Sequence, residues 1–159
     1  MLEQDFKQAF GALAAGVSIV TFRVGALVHG FTATSVTSVS MEPPLALFCV
    51  GRANLSHRYL DVDTPVGISI LAAEQCELSN RFAGRSDIGG YQDIEVLDDE
   101  CGAPVLPGAV ATIVGTISHR IPAGDHTIYV CDLHGAQTSV RRQPLLYCAR
   151  GYHTLGPLG

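Results

Sequence analysis

The chain has 159 residues, with 10 Lys and Arg against 15 Asp and Glu and a formal charge of −5. That is the length of one domain, 1–159, and it can hold a core without disulfides or a metal. A 47% hydrophobic and 16% charged composition excludes a disordered chain, the lack of a basic face argues against nucleic acid as a partner, and a surface so poor in charge points to cover by a second subunit or a cofactor.

Residues 2–15 place Leu2, Phe6, Ala9, Phe10, Leu13 and Ala14 at helical spacing, and Gly16 stops the pattern. This start has no basic segment followed by an apolar run, so no secretory leader is expected, and no stretch reaches the ~18 apolar residues of a membrane span. Val17 to Val24 is β-branched and aromatic and predicts a strand, with Gly25 turning into a second strand from Leu27 to Thr34. From Phe31 to Ser40 six of ten residues carry a hydroxyl, and Pro43-Pro44 then breaks the chain before a third, apolar strand from Leu45 to Val50.

Asn54 is a good N-cap for a short helix to Leu60. A strand from Val66 to Leu71 precedes an amphipathic helix from Ala72 to Phe82 with Leu71, Cys76, Leu78 and Phe82 on its apolar side. Residues 84–104 read as a polar, Gly-rich loop. Strands follow over 109–121, 127–133 and 145–149, the first two joined by a Gly124-Asp125 turn. Neighbouring strands joined by turns argue for an antiparallel barrel with helices outside it, not a parallel doubly wound sheet.

Cys49, Cys76, Cys101, Cys131 and Cys148 are odd in number and form no C-x-x-C. Most have apolar neighbours, which reads as buried reduced thiols in a cytoplasmic protein. The six histidines show neither zinc spacing nor a nucleophile elbow, so no metal is expected and a hydrolase fits worst. No phosphate-cradling glycine motif occurs.

Four segments can carry chemistry. The hydroxyl run supplies donors and acceptors without charge, which suits a polar uncharged ligand edge such as a flavin ring or a phosphate; a solvated edge strand using Thr for its β-propensity would look the same. Arg52 to Ser56 leads a strand into a helix start, a place for a phosphate or simply a cap. Arg81, Phe82 and Arg85 end the second helix, either as an anion clamp or as cations at the favourable end of a helix dipole. His126 stands in a turn beside Asp125, able to face a ligand or only solvent.

Taken in order, these segments resemble the flavin reductase-like family. The resemblance rests on Phe6, Ala9 and Gly16-Val17, on the Gly30 to Ser40 run with Pro43-Pro44, and on Asn54 and Ser56. It continues with Arg81-Phe82-Ala83, Gly124-Asp125-His126, Leu145-Leu146-Tyr147 and Arg150-Gly151-Tyr152. It implies a mainly β fold, an antiparallel Greek-key split barrel with peripheral α-helices, usually as a homodimer with flavin in the interface groove. It implies an NAD(P)H-dependent flavin oxidoreductase that moves a hydride from nicotinamide C4 to flavin N5 and supplies reduced FMN or FAD to a partner monooxygenase. The alternative is a flavoprotein of the same fold that retains FMN and acts on another small molecule in a biosynthetic pathway.

By the same resemblance, Thr32, Thr34, Ser35, Ser38 and Ser40 line the flavin, and the Cys49-Val50-Gly51 strand end passes the ring by its backbone. Asn54, Ser56, Arg81, Phe82 and Arg85 belong to the phosphate end, His126 to the nicotinamide side, and Tyr152 lies near the ring. One departure stands out. Many relatives carry a Lys or Arg and an aromatic shortly after the second helix, where this chain reads Ser86-Asp87-Ile88-Gly89-Gly90-Tyr91 and keeps only the aromatic.

Overall fold

The computed structural model describes residues 2–84, 87–139 and 141–157. Helix α1 spans Leu2–Gly11 and α2 spans Cys76–Ala83. The strands are β1 (Ala15–Gly16), β2 (Ser18–Val24), β3 (Leu27–Ala33), β4 (Thr37–Met41), β5 (Pro44–Gly51), β6 (Pro65–Ile70), β7 (Leu97–Asp98), β8 (Pro104–Val105), β9 (Ala111–Ala123), β10 (His126–Thr138), β11 (Leu146–Cys148) and β12 (Gly151–His153). Single 3-10 turns occupy Leu55–Arg58 and Ala73–Gln75.

Seven strands form one sheet in the order β3-β2-β6-β9-β10-β5-β4, every neighbouring pair antiparallel. The sheet curls until its far strands meet. Phe31 of β3 lies 5.8 Å, ring to ring, from Phe48 of β5, although four strands separate them in the sheet. Phe48 in turn stacks on Tyr129 of β10 at 5.4 Å. These rings, with Val20, Phe22, Val50, Ile68 and Ile117, fill the barrel. The expected antiparallel β-barrel with helices outside is the architecture found.

Strand β2 is buried on both faces. Val20 and Phe22 point into the barrel, while Val17 and Ile19 join Leu71, Phe82, Tyr91, Leu106 and Leu145 in a second core beneath α2. Strand β5 alternates as a half-buried strand should: Ala46, Phe48 and Val50 are buried, and Leu45, Leu47 and Cys49 lie on the outer face. The run that reads as apolar throughout is therefore apolar on two faces, only one of which its own chain covers.

Several expectations need correction. The first helix ends at Gly11, four residues early, because Ala15-Gly16 pairs with Tyr147-Leu146 instead. None of its residues is buried, and the exposed rings of Phe6 and Phe10 lie 4.6 Å apart. The second half of the hydroxyl run is a strand of its own, β4. Residues 151–153 form β12, and the 84–104 loop contains β7 and the start of β8. Of the five unpaired cysteines only Cys131 is buried, its thiol pushed up to about 12 by that burial; Cys101 is exposed.

Among the described residues no helix is long and apolar enough to cross a membrane, and no group of His, Cys, Asp and Glu could hold a metal.

Candidate functional site

The end of β5 is flanked from both sides. Ser35, just past β3, turns back so that its Oγ accepts from Cys49 N at 3.0 Å and donates to Cys49 O at 3.3 Å. On the other side His126, the first residue of β10, pairs with Gly51. A Cβ at Gly51 would sit 3.6 Å from His126 Nε2, so the missing side chain leaves the imidazole facing bare backbone. The His126 ring is fixed from behind, with Nδ1 2.8 Å from Asp125 Oδ1. Nδ1–H donating to that carboxylate sets the tautomer and leaves Nε2 toward the strand end. The same hydrogen bond, then the imidazole and Arg52 charges, holds the Asp125 carboxyl below its ordinary range. Arg52 N donates to Asp125 O at 2.8 Å, which closes the turn onto β5.

The 3-10 turn after β5 begins where the sequence places it. Asn54 Oδ1 accepts from Ser56 N at 2.9 Å as its cap. Ser56 itself is fully buried, and its Oγ finds no partner. His57 joins this turn to β10, its Nε2 2.8 Å from Thr127 Oγ1 next to His126. Burial first, then the Arg120 and Arg52 charges, lowers the His57 pKa, so it is neutral near pH 7.

An open groove of about 570 Å³ runs between β3, this turn and the end of α2. Gly30, Phe31, Asn54, Arg58 and Phe82 line it. Phe82 is itself buried, stacked on Tyr91 at 4.1 Å. The aromatic left over from the usual basic-aromatic pair is thus a core residue. His29 also lines the groove, lies between Phe22 and Tyr91, and is 2% exposed with an unpartnered Nδ1.

Two further residues join through α2. Thr32 Oγ1 donates to Ser79 O at 2.7 Å, Ser79 Oγ lies 2.9 Å from the Tyr152 hydroxyl, and that hydroxyl donates to Asn80 Oδ1. Thr34 is exposed beside Ser35. Arg81 forks onto Asp93 with both guanidinium nitrogens and also donates to Gly90 O at 3.1 Å. That pairing lowers the Asp93 pKa and raises that of Arg81. Ser38 and Ser40 do not join the cluster. They pair with Ala46 and Leu45, about 17–20 Å along β5 from Gly51 at ~3.4 Å per residue. Arg85 lies outside the described residues.

Sequence reasoning missed Arg58, His29 and His57. Arg58 could have been found as the cation four residues after the Asn54 cap. His29 and His57 have no local signature, because burial and a partner 70 residues away define them.

Comparison with known proteins places these features in context. The flavin reductase like domain family model matches residues 10–156. The actinorhodin polyketide dimerase of Streptomyces coelicolor is 37% identical over 150 residues, covering 94% of this chain and 84% of that one. The 4-hydroxyphenylacetate 3-monooxygenase reductase component of Pseudomonas aeruginosa is 28% identical over 156 residues, 96% of this chain and 92% of that one. The solved NADH:FAD oxidoreductase of Streptomyces globisporus, in complex with NAD and FAD fragments, superposes with a TM-score of 0.89 at 31% identity, covering 98% and 93% of the two chains.

Proposed function

The chain belongs to the flavin reductase like domain family, and from that premise we propose that it is an NAD(P)H-dependent flavin reductase that delivers reduced FMN or FAD to a partner monooxygenase. One observation carries this reading: a side-chain-free strand end at Gly51, bordered by Ser35 and by a His126 ring that Asp125 orients. The residues present fit a flavin nucleotide. The strand end offers backbone and uncharged hydroxyls to a ring, and the adjoining groove carries a guanidinium and an orphaned buried imidazole nitrogen for a polar tail. The named relatives point the same way, one an NADH:FAD oxidoreductase and one a monooxygenase reductase component.

When bound, flavin supplies the hydride acceptor and NAD(P)H the hydride donor. The chain's own part is to bind and orient. Thr34, Ser35 and the Cys49–Gly51 backbone would hold the ring, Asn54 caps the turn that would meet the tail, and Tyr152 and Thr32 brace α2 against the barrel. His126, whose Nε2 faces the end of β5, would meet the nicotinamide nucleotide there. Its hydrogen bond to Asp125 steadies it there as a positioning group with no nucleophilic role.

Mixing the protein with NADH or NADPH and FMN or FAD, and following the nicotinamide absorbance, tests the activity. Oxidation in at least one combination is expected, and none in all four sinks the reading. His126→Ala should raise the KM for the nicotinamide nucleotide more than that for flavin.

The protein works as a homodimer in the cytoplasm, as a single domain over 1–159. Support for the dimer comes from the apolar faces that the chain leaves bare. Leu2, Phe6, Phe10 and Leu13 are 59–84% exposed, and Leu45, Leu47 and Ile128 are only half-covered on the barrel's outer face. Unpaired cysteines support the compartment. A second reading has the 37% identical polyketide dimerase behind it: a flavoprotein that keeps FMN and acts in a biosynthetic pathway. Flavin retained through dialysis would favour it.

A further inference from the structure

The resemblance assigns the flavin phosphate to Ser56, Arg81 and Arg85, of which Arg85 lies outside the described residues. In the structure Ser56 is 0% exposed, and Arg81 is held by both carboxylate oxygens of Asp93 and by Gly90 O. Ser56 Oγ is unpartnered but lies outside the groove lining, and the Arg81 guanidinium is taken, so neither offers the groove a free cation. Arg58 does. It is exposed at the end of the 3-10 turn, it lines the groove with Asn54 and Phe82, and none of the described carboxylates pairs with it. Of the other described arginines near the strand end, Arg120 is engaged with Asp61, and Arg52 does not line the groove.

A guanidinium suits a phosphate because its planar fork meets two oxygens at once. The groove holds one other ionised side chain, Asp87, so its walls carry one charge of each sign among the described residues. His29 lines the same groove almost wholly buried, with an unpartnered Nδ1 that calls for a polar atom of a ligand.

We propose that Arg58 is the residue that reads the phosphate of the flavin nucleotide, and that it sets this chain's preference for FMN or FAD over riboflavin. This rests on the flavin-binding reading above. Riboflavin shares the ring and ribityl chain of FMN and lacks only the phosphate. It therefore separates contacts to the phosphate from contacts to the rest of the molecule.

The experiment titrates FMN and riboflavin into the full-length protein by quenching of flavin fluorescence, with NADH oxidation measured in parallel. Arg58→Ala should weaken FMN binding on the order of tenfold, the scale of one hydrogen bond to a charged group, and leave riboflavin binding nearly unchanged. Arg58→Lys should recover most of the loss, since it keeps the charge without the fork.

Equal weakening of FMN and riboflavin overturns the proposal. So does a larger change for NADH or NADPH than for FMN, which would move the phosphate contact to the nicotinamide nucleotide. A selective loss of FMN in Arg81→Ala with none in Arg58→Ala would return the role to Arg81. If wild-type protein shows the FMN preference and its loss in Arg58→Ala but never oxidises NAD(P)H, Arg58 keeps its role and the reductase activity falls instead.

Discussion

The two halves of the hydroxyl run share a composition and do different things. In the first half, Phe31 and Ala33 are barrel core, Thr32 ties β3 to α2, and Ser35 is stitched to both backbone groups of Cys49. In the second half, Thr37–Met41 is the edge strand β4, exposed along most of its length. Its hydroxyls make only local contacts, such as Ser40 Oγ accepting from Glu42 N. Hydroxyl density alone does not mark a ligand site. What matters is where the hydroxyls point: in the first half they tie β3 to α2 and to the end of β5, whereas β4 pairs with β5 through its backbone and leaves its side chains largely exposed.

Four measurements break or sharpen that contrast. Gly30→Ala, at the head of the first half, should be the most damaging. Its Cβ would lie 2.6 Å from Val20 O, a backbone atom that cannot step aside, and 3.0 Å from the Phe82 ring. A loss of about 3 kcal/mol in urea unfolding is expected, the upper range for overpacking. Ser35→Ala should cost about 1–2 kcal/mol by removing two hydrogen bonds, and should weaken flavin binding as the end of β5 loosens.

The third measurement concerns pH. Burial lowers the pKa of His29 from its ordinary 6.5. Its contribution is therefore full above that value. It is lost as pH falls below it toward the lowered folded value, because the unfolded chain takes up a proton that the folded chain refuses. His29→Phe should flatten the decline in melting temperature between neutral pH and about pH 5.5. An unchanged slope would show that the buried end of β3 is not what senses acid.

Ser38→Ala and Ser40→Ala should do least. On an exposed edge each should change stability by no more than about 0.5 kcal/mol, and each should lower flavin affinity less than Ser35→Ala. A larger flavin effect there would move the binding surface along β5 and dissolve the contrast between the halves.

Much was legible in the sequence because its signals are local. Alternating and β-branched residues marked most of the long strands, Asn54 announced its own cap, and Gly124-Asp125 announced the hairpin that holds His126. The ordered set of short motifs pointed to the family, and the family model match bears this out. Charge scarcity suggested a covered surface, and α1 and the outer face of β5 leave apolar side chains bare. Tertiary structure alone decided the rest. It decided that Arg81 meets Asp93 twelve residues on, that Ser56 turns inward, that Tyr91 stacks on Phe82, and that β3 and β5 close the barrel through Phe31 and Phe48. Each of these is a contact between segments whose spacing in the chain carries no period. Which cation remains free for a ligand depends on where every carboxylate comes to rest, and only the folded chain settles that.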